Sequence, residues 1–465
     1  METSTALQDQ LRNFVYAGVE AEVEDLTRYK QFGLHPITLG DILPKPLTCV
    51  SDVNKEPRYR IMLKLGFGAL ATVWLARDLI EKRYVAVKVG LGSDNPLPNR
   101  EAEILSQICK TGPGKHGYER VIQLLDVFVV EGPNGFHQCL VTEVVLPLSD
   151  PKARQHCSYD VVRQIVEGFA FLHGEDIVHG DPHIANIGIA LPQLEQFEER
   201  QIIDHYANPE TIPVVPRYPK IPLSSMPPYI VKSTELTEYL KVYKVLPGDS
   251  VTVKIMGFGR AYRINKDPNL LGAVPKMIRP PEFVLHELCD DRIDFTWSEA
   301  ADIWAVGCTL YDVKSGGELI SKSTMGSLKD HLFQAIQFGG PPPETWPKVW
   351  DTQDRQHENC WYLRLASSEL IRSRDTDTST TTPALCDRDQ VWEVREADRN
   401  SSKIAHDEER LAFLNLVKRL IITKPDERTP MAVLLTDPFM VERRKEEESI
   451  QMSDCMLRPV SNASG

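Results

Sequence analysis

The sequence predicts an α+β fold of two lobes, a small β-rich N-terminal lobe and a larger helical C-terminal lobe. Two observations carry this prediction. Strand-like runs with alternating apolar positions follow one another from Tyr59 to Val144. Past Pro147 the apolar spacing becomes that of helices and stays so for most of the chain.

Residues 1–57 read as an N-terminal extension with a short helical stretch near Glu20–Tyr29. The two-lobed domain spans 58–440, with the small lobe at about 58–146 and the large lobe at about 147–440. Strands are expected at Tyr59–Leu65, Ala71–Ala76 and Tyr84–Val89, a helix at Arg100–Ile108, then strands at Val121–Val130 and Gln138–Val144. In the large lobe, Val162, Ile165, Val166, Phe169 and Leu172 fall at helix spacing within Tyr159–His173. Short strands are expected at Asp176–Val178, Asn186–Ile189 and Val251–Ile255, and further helices at Ser298–Val313, Leu328–Gln337 and Glu408–Ile421. An insert at about 191–248 is rich in proline and reads as irregular and extended. A second, at about 351–407, contains the polar run Ser373–Pro383, which reads as a mobile loop. Residues 441–465 read as a disordered tail.

The 465 residues carry 53 Lys and Arg against 66 Asp and Glu, a formal net charge of −13. That balance argues against direct binding of nucleic acid and permits attraction to a basic partner, although solubility alone also accounts for it. The 9 cysteines are scattered and never form a CxxC pair, which fits reduced thiols in an intracellular protein with no disulfide framework or zinc site. The first residues lack the apolar core of a signal peptide, and no apolar run reaches the roughly 18 residues of a membrane span. No feature demands more than a monomer.

Residues 65–76 read Leu-Gly-Phe-Gly-Ala-Leu-Ala-Thr-Val-Trp-Leu-Ala, with Gly66 and Gly68 between two strand runs. Glycines in such a hairpin let backbone N–H groups approach phosphate oxygens, although a glycine pair alone marks only a turn. Val85-Ala86-Val87-Lys88 then puts a lysine on an apolar strand. Glu101 shares the helical stripe of Ile104, Leu105 and Ile108, so its carboxylate faces the core and needs a cation. Lys88 is the natural partner. The pair matches the ion pair by which protein kinases hold the α- and β-phosphates of ATP. Leu140–Val145 occupies the place of the kinase hinge, where the Glu143 carbonyl and the Val145 amide would face adenine, with Thr142 behind.

His179-Gly180-Asp181-Pro182-His183-Ile184-Ala185-Asn186 has the spacing of the kinase catalytic loop. Asp181 would take the proton of the attacking hydroxyl and Asn186 would bind Mg²⁺. His179 reads as a structural anchor. Gly180 stands where an arginine clamps a phosphorylated activation loop, and His183 where many kinases carry a lysine. The loop is also similar to that of small-molecule kinases for aminoglycosides and choline. A later set separates the two classes: Arg279-Pro280-Pro281-Glu282, Asp302-Ile303-Trp304-Ala305-Val306-Gly307, and Arg428, which can pair with Glu282. That set belongs to protein kinases. Val253-Lys254-Ile255-Met256-Gly257-Phe258-Gly259 occupies the place of the metal-binding D-F-G segment, and its aspartate position is Gly257.

Further residues surround these motifs: Glu24-Asp25-Leu26, Tyr29, Gly33-Leu34-His35-Pro36, Leu39-Gly40-Asp41, Arg58-Tyr59-Arg60, Thr72–Asp78, and Gly339-Gly340-Pro341-Pro342-Pro343-Glu344 with Trp346-Pro347. In these, and in the long insert before Gly257, the chain resembles the serine/threonine kinases of arginine/serine-rich (SR) proteins over about residues 20–440. The resemblance implies transfer of the ATP γ-phosphate to serine in basic Arg/Ser-rich proteins, with Mg²⁺ as cofactor. It places Leu65, Gly66, Gly68, Val73, Ala86, Lys88, Glu143 and Val145 around ATP. It further implies activity without activation-loop phosphorylation, and residence in cytoplasm and nucleus. Gly257 leaves two outcomes open: an active kinase, or a pseudokinase scaffold that binds nucleotide and transfers little phosphate.

Overall fold

The computed structural model describes residues 14–15, 23–155, 157–205, 209–218, 223–242, 251–264, 266–267, 274–289, 295–320, 327–346, 388–399 and 408–441. The expected mobile loop Ser373–Pro383 and the tail beyond 441 lie outside them. The chain forms two compact units, one of Met1–Pro147 with Gly188–Met256, the other of Leu148–Ile187 with Gly257–Gly465.

The first unit is built on an antiparallel sheet of β1 (Ile42–Leu43), β2 (Tyr59–Phe67), β3 (Ala71–Asp78), β4 (Tyr84–Ser93), β5 (Leu124–Gly132) and β6 (Gly135–Thr142), in the order β1-β2-β3-β4-β6-β5. Val85, Val87 and Val89 send their side chains to one face, into a core with Tyr59, Ile61, Trp74, Phe128 and Val141. Successive strand residues point to opposite faces, so Ala86 and Lys88 lie on the other one. Lys88 is paired with Val73, and Ala86 with Leu75, on that second face. Helix α1 (Arg100–Thr111) begins where the Asn99 side chain accepts a hydrogen bond from the Ala102 amide at 3.0 Å. It buries Glu101, Ala102, Ile104, Leu105 and Ile108.

Within the expected helical stretch near Glu20–Tyr29 the described residues form the 3₁₀ turn Leu26–Arg28; residues 16–22 lie outside the described set. Leu26, Tyr29 and Leu34 pack with Val23, Val214 and Ile230. The last two belong to the proline-rich insert, and here the structure corrects the sequence. The insert is not irregular: it forms the helices Glu199–His205 and Leu236–Val242 and a strand pair of Thr211–Pro213 with Tyr229–Val231. The sequence also assigns it to the helical lobe, whereas its residues belong to the β-rich unit. Proline cannot donate to a ladder, but at the end of a two-stranded pair it needs no such bond. The apolar residues between the prolines find their partners in the extension, which a local pattern does not reveal.

The second unit packs α2 (Asp160–Gly174), α3 (Pro281–Leu288), α4 (Glu299–Ser315), α5 (Leu328–Gly339), α6 (Arg388–Arg399) and α7 (Glu408–Leu420). Along α4 nearly every residue from Ala301 to Val313 is buried, as in a helix with no solvent face. Helix α6 lies inside the second expected insert, yet Trp392 is buried edge-on to Tyr311 and Phe338 and donates to the Phe338 carbonyl at 3.1 Å. Among the described residues no helix is long and apolar enough to cross a membrane.

Two buried imidazoles give this fold a pH dependence. Burial pushes His35 down to about 3 and His331 to about 4. The unfolded chain takes up these protons near pH 6.5 and the folded chain does not. Each histidine's contribution is therefore complete above that pH and is lost as the pH falls toward its folded value. Stability should fall by about 1.4 kcal/mol per pH unit per histidine between pH 6 and 4.5. Urea unfolding across that range is expected to show His331→Leu with a slope shallower by about one proton, and an unchanged slope would contradict the assignment.

Candidate active site

The expected site residues fall into two groups, one in each unit. In the β-rich unit, Lys88 Nζ lies 2.6 and 2.8 Å from the two carboxylate oxygens of Glu101. Strand β4 presents the amine and the buried stripe of α1 presents the acid. Val73 and Ala86 share the lysine's face of the sheet. Gly66 is opposite Val73 near the end of β2, beyond an irregularity in register after Lys64. A Cβ added at Gly66 or Gly68 would meet nothing within 4 Å, so the protein's own packing does not call for either glycine.

Among the described residues the expected hinge lies on a sheet edge. Strand β7 (Val145–Pro147) pairs antiparallel with Ile187–Ala190. The Leu191 amide donates to Val144 O at 3.0 Å, and the Leu148 amide to Ile187 O at 2.8 Å. Antiparallel ladders alternate bonded and non-bonded pairs, so Val145, opposite Ala190, keeps its N–H and C=O on the outer edge. Those are the groups an adenine edge would use. The Glu143 side chain is turned away from such a role: its Oε1 accepts from the Gln123 amide and from Lys254 Nζ, both at 2.9 Å. Its carbonyl accepts from the Thr142 hydroxyl at 3.1 Å and retains a second lone pair.

In the helical unit the loop 179–186 hangs from one buried carboxylate. Asp302, fully buried on α4, accepts from the amides of His179 at 2.7 Å and Gly180 at 3.0 Å, and from Trp297 Nε1 at 2.8 Å; His173 Nε2 lies 3.3 Å away. Burial pushes this carboxyl up. The hydrogen bond and charge of His173 and the Trp297 bond outweigh that and hold it below the usual carboxylate range. The His179 ring packs against Phe169 and Phe258, and its Nδ1 accepts from the Asp181 amide at 3.2 Å. The ring is thereby buried within the loop's surroundings. Gly180 has φ +78°, and a Cβ there would come within 2.8 Å of Arg260 O, so arginine does not fit this loop as it stands.

Asp181 and Asn186 come together. Asn186 Nδ2 donates to Asp181 O at 2.9 Å and Oδ2 at 3.3 Å, and lies 3.2 Å from His183 Nε2. Asp181 Oδ1 is buried and has no hydrogen-bond partner, an acceptor left open. Arg260 Nε stands 4.0 Å from Oδ2, a neighbour that the sequence motifs did not single out although it lies within the segment that follows Gly257. Farther along, Arg428 grips Glu282 through two bonds of 2.7 Å and also donates to Ala300 O and Ile422 O.

The residues do not fit the expected Mg²⁺ site. Gly257 has φ +82°, and a Cβ there would overlap Asn186 Oδ1 and Cγ and approach Nδ2 to 2.9 Å. The Asn186 side chain therefore occupies the space that a metal-binding aspartate at 257 would need. Turning the amide over does not clear it, because all three atoms crowd the same point. Mg²⁺ asks for near-octahedral oxygen donors, usually one or two of them carboxylates. Asn186 already faces Asp181, and position 257 supplies no ligand atom from a side chain. Among the described residues no group of three His, Cys, Asp or Glu could hold a metal ion.

No model of a known protein family matches the chain. A serine/threonine protein kinase of Aspergillus fumigatus is 23% identical over 450 residues, which is 91% of this chain and 92% of that protein. Human SRSF protein kinase 3 is 31% identical over 179 residues, 36% of this chain and 30% of that kinase. The serine/threonine-protein kinase spk-1 of Caenorhabditis elegans is 30% identical over 187 residues, 38% of this chain and 17% of that protein. The chain is a homologue of the serine/threonine kinases, SR-protein kinases among them. The β-rich and helical units are those of the two-lobed kinase fold. ATP use is typical of these kinases.

Arg428 has a side chain that is 0% exposed. Arg428→Ala strips Glu282 and the carbonyls of Ala300, Ile422 and Thr423 of their donor and is expected to cost about 3–5 kcal/mol in urea unfolding. Arg428→Lys keeps the charge but not the planar fork and should fall between. A loss below about 1 kcal/mol for the alanine variant would show that the pair does not hold the helical unit together.

Proposed function

We propose that the chain is an ATP-dependent serine/threonine protein kinase of the SR-protein kinase type, transferring the γ-phosphate to serine in basic Arg/Ser-rich proteins. The observation that carries this is the formed Lys88–Glu101 ion pair, on the sheet face that also bears Val73 and Ala86. Lys88 would neutralise phosphate oxygens, and the outer edge of Val145 would receive the adenine. The unpartnered Asp181 Oδ1 would accept the proton of the serine hydroxyl as its oxygen bonds to the γ-phosphorus. The bond from that phosphorus to the β-phosphate oxygen breaks, and ADP leaves. The net charge of −13 favours a basic substrate. A loop held by Asp302 and not by a phosphate-binding arginine at 180 suits an enzyme active without activation-loop phosphorylation. Action as a monomer, in cytoplasm and nucleus, belongs to the same proposal.

One observation favours a second reading, a pseudokinase scaffold. The Asn186 side chain fills the place of the missing aspartate at 257, which removes electrostatic stabilisation that metal ions otherwise supply. The deciding experiment measures turnover of an Arg/Ser peptide with ATP, in parallel with ATP affinity in Mg²⁺ and in EDTA. For an active kinase, Asp181→Ala should lower kcat by about 10²-fold or more while ATP affinity stays close to wild type. Wild-type turnover no faster than that of Asp181→Ala would end the transferase reading. ATP affinity that then falls in Lys88→Ala would leave the scaffold standing. Removing Mg²⁺ should change ATP affinity by less than about tenfold, or 1.4 kcal/mol, because position 257 offers the ion no ligand.

A further inference from the structure

We propose that Arg28, in the N-terminal extension, is a positioning residue that sets the amides of the glycine loop for the phosphates of a nucleotide. The inference rests on the nucleotide-binding reading above and names how one part of that site is held.

Arg28 reaches the tip of the loop. Its NH1 donates to Gly68 O at 2.8 Å and its NH2 to Ala69 O at 2.6 Å. A trans peptide is planar, with C=O and the following N–H antiparallel. Fixing the carbonyls of Gly68 and Ala69 toward Arg28 therefore turns the amides of Ala69 and Leu70 away from it. The other groups of the loop are already engaged: Gly68 N donates to Ala71 O at 2.9 Å, and Leu91 N to Leu70 O at 3.0 Å. Among the described residues neither the Ala69 nor the Leu70 amide donates to another group. Two successive amides aimed the same way form a concavity suited to an anion. A phosphate group is the chemistry that fits it, beside the open space over Gly66 and Gly68.

The arm that carries Arg28 is anchored on both sides of that residue. Leu26 and Tyr29, on either side, are buried at 0% and 2%. The Asp25 side chain caps the turn by accepting from the Thr27 amide at 2.8 Å. Next to it Glu24 pairs with Lys64 of β2, in a place closed to solvent, and accepts from the Tyr29 hydroxyl. Lys64 Nζ also donates to Val231 O of the insert at 3.1 Å. Extension, sheet and insert thus meet at one buried charge pair, and the guanidinium projects from that junction onto the loop. A loop tip held in its binding geometry forfeits less freedom when ligand arrives.

The test uses the full chain, Arg28→Ala, Arg28→Lys and two measurements. ATP titration should show affinity weakened about tenfold in both variants, because lysine keeps the charge but cannot span two carbonyls. Hydrogen exchange without nucleotide should show faster exchange at the Gly68 and Leu91 amides in both, with unchanged protection in the helical unit. Wild-type affinity in Arg28→Lys would reduce Arg28 to a point charge and overturn the positioning role. Unchanged exchange would overturn it too. If the wild-type protein binds no ATP, the nucleotide reading itself fails and the named ligand falls with it. Exchange at Gly68 and Leu91 still separates that failure from a failure of Arg28 to hold the loop.

Discussion

A charge removed from water must be met by an opposite charge or by hydrogen bonds, and that requirement shapes both units of this protein. Asp302 is the clearest case. Its carboxylate lies wholly inside the helical unit, and the donors that make this tolerable include the amides of His179 and Gly180. Satisfying the carboxylate and shaping the catalytic loop are thus one event. The bent backbone at Gly180, the seat of the His179 ring between two phenylalanines and the approach of Asp181 to Asn186 all follow from it. The same rule draws Glu282 and Arg428 together across 146 residues of sequence, Glu101 to Lys88 in the other unit, and Glu24 to Lys64 beneath the sheet.

The rule also explains why the loss of a side chain at 257 is not a neutral gap. An aspartate there would bring a second acid beside Asp181 and would need a cation to share. Glycine removes the acid, and the left-handed backbone at that point lets the Asn186 amide fold into the space and hydrogen-bond to Asp181. Asn186 donates to the Asp181 carboxylate, and His183 Nε2 and Arg260 Nε approach it at 3.5 and 4.0 Å. Restoring an acid at 257 therefore requires two changes, a carboxylate and a relocated asparagine. Aspartate is at least among the residues that accept positive φ.

The chemistry of each half-site was legible from spacing, because it depends on local geometry. A lysine on an alternating strand and a glutamate on an amphipathic stripe announce each other once burial is inferred. The HGD…N loop and the Glu282, Asp302 and Arg428 set likewise stand at fixed offsets from recognisable strands and helices. The partners of Glu143 could not be read this way. Lys254 and Gln123 are remote in sequence, and nothing in an apolar pattern marks which lysine turns inward. Arg260 was equally hidden, since a single arginine after a glycine segment has no periodicity to betray its direction.

By itself the sequence determined the strands and helices of the periodic segments, the change of architecture near Pro147, and the pairings Lys88–Glu101 and Glu282–Arg428, because hydrophobic period and motif spacing are properties of short windows. Only the tertiary structure decided the fate of the segments without a period. The proline-rich insert becomes two helices and a strand pair because Ile230 and Val214 find Leu26, Tyr29 and Leu34, far away in the chain. The extension becomes an arm that carries Arg28 to the glycine loop because Glu24 and Lys64 can shed water only against each other. Such contacts are selected by the closure of long loops, whose entropic cost grows slowly with length, so distant partners compete with near ones and no local window records the winner.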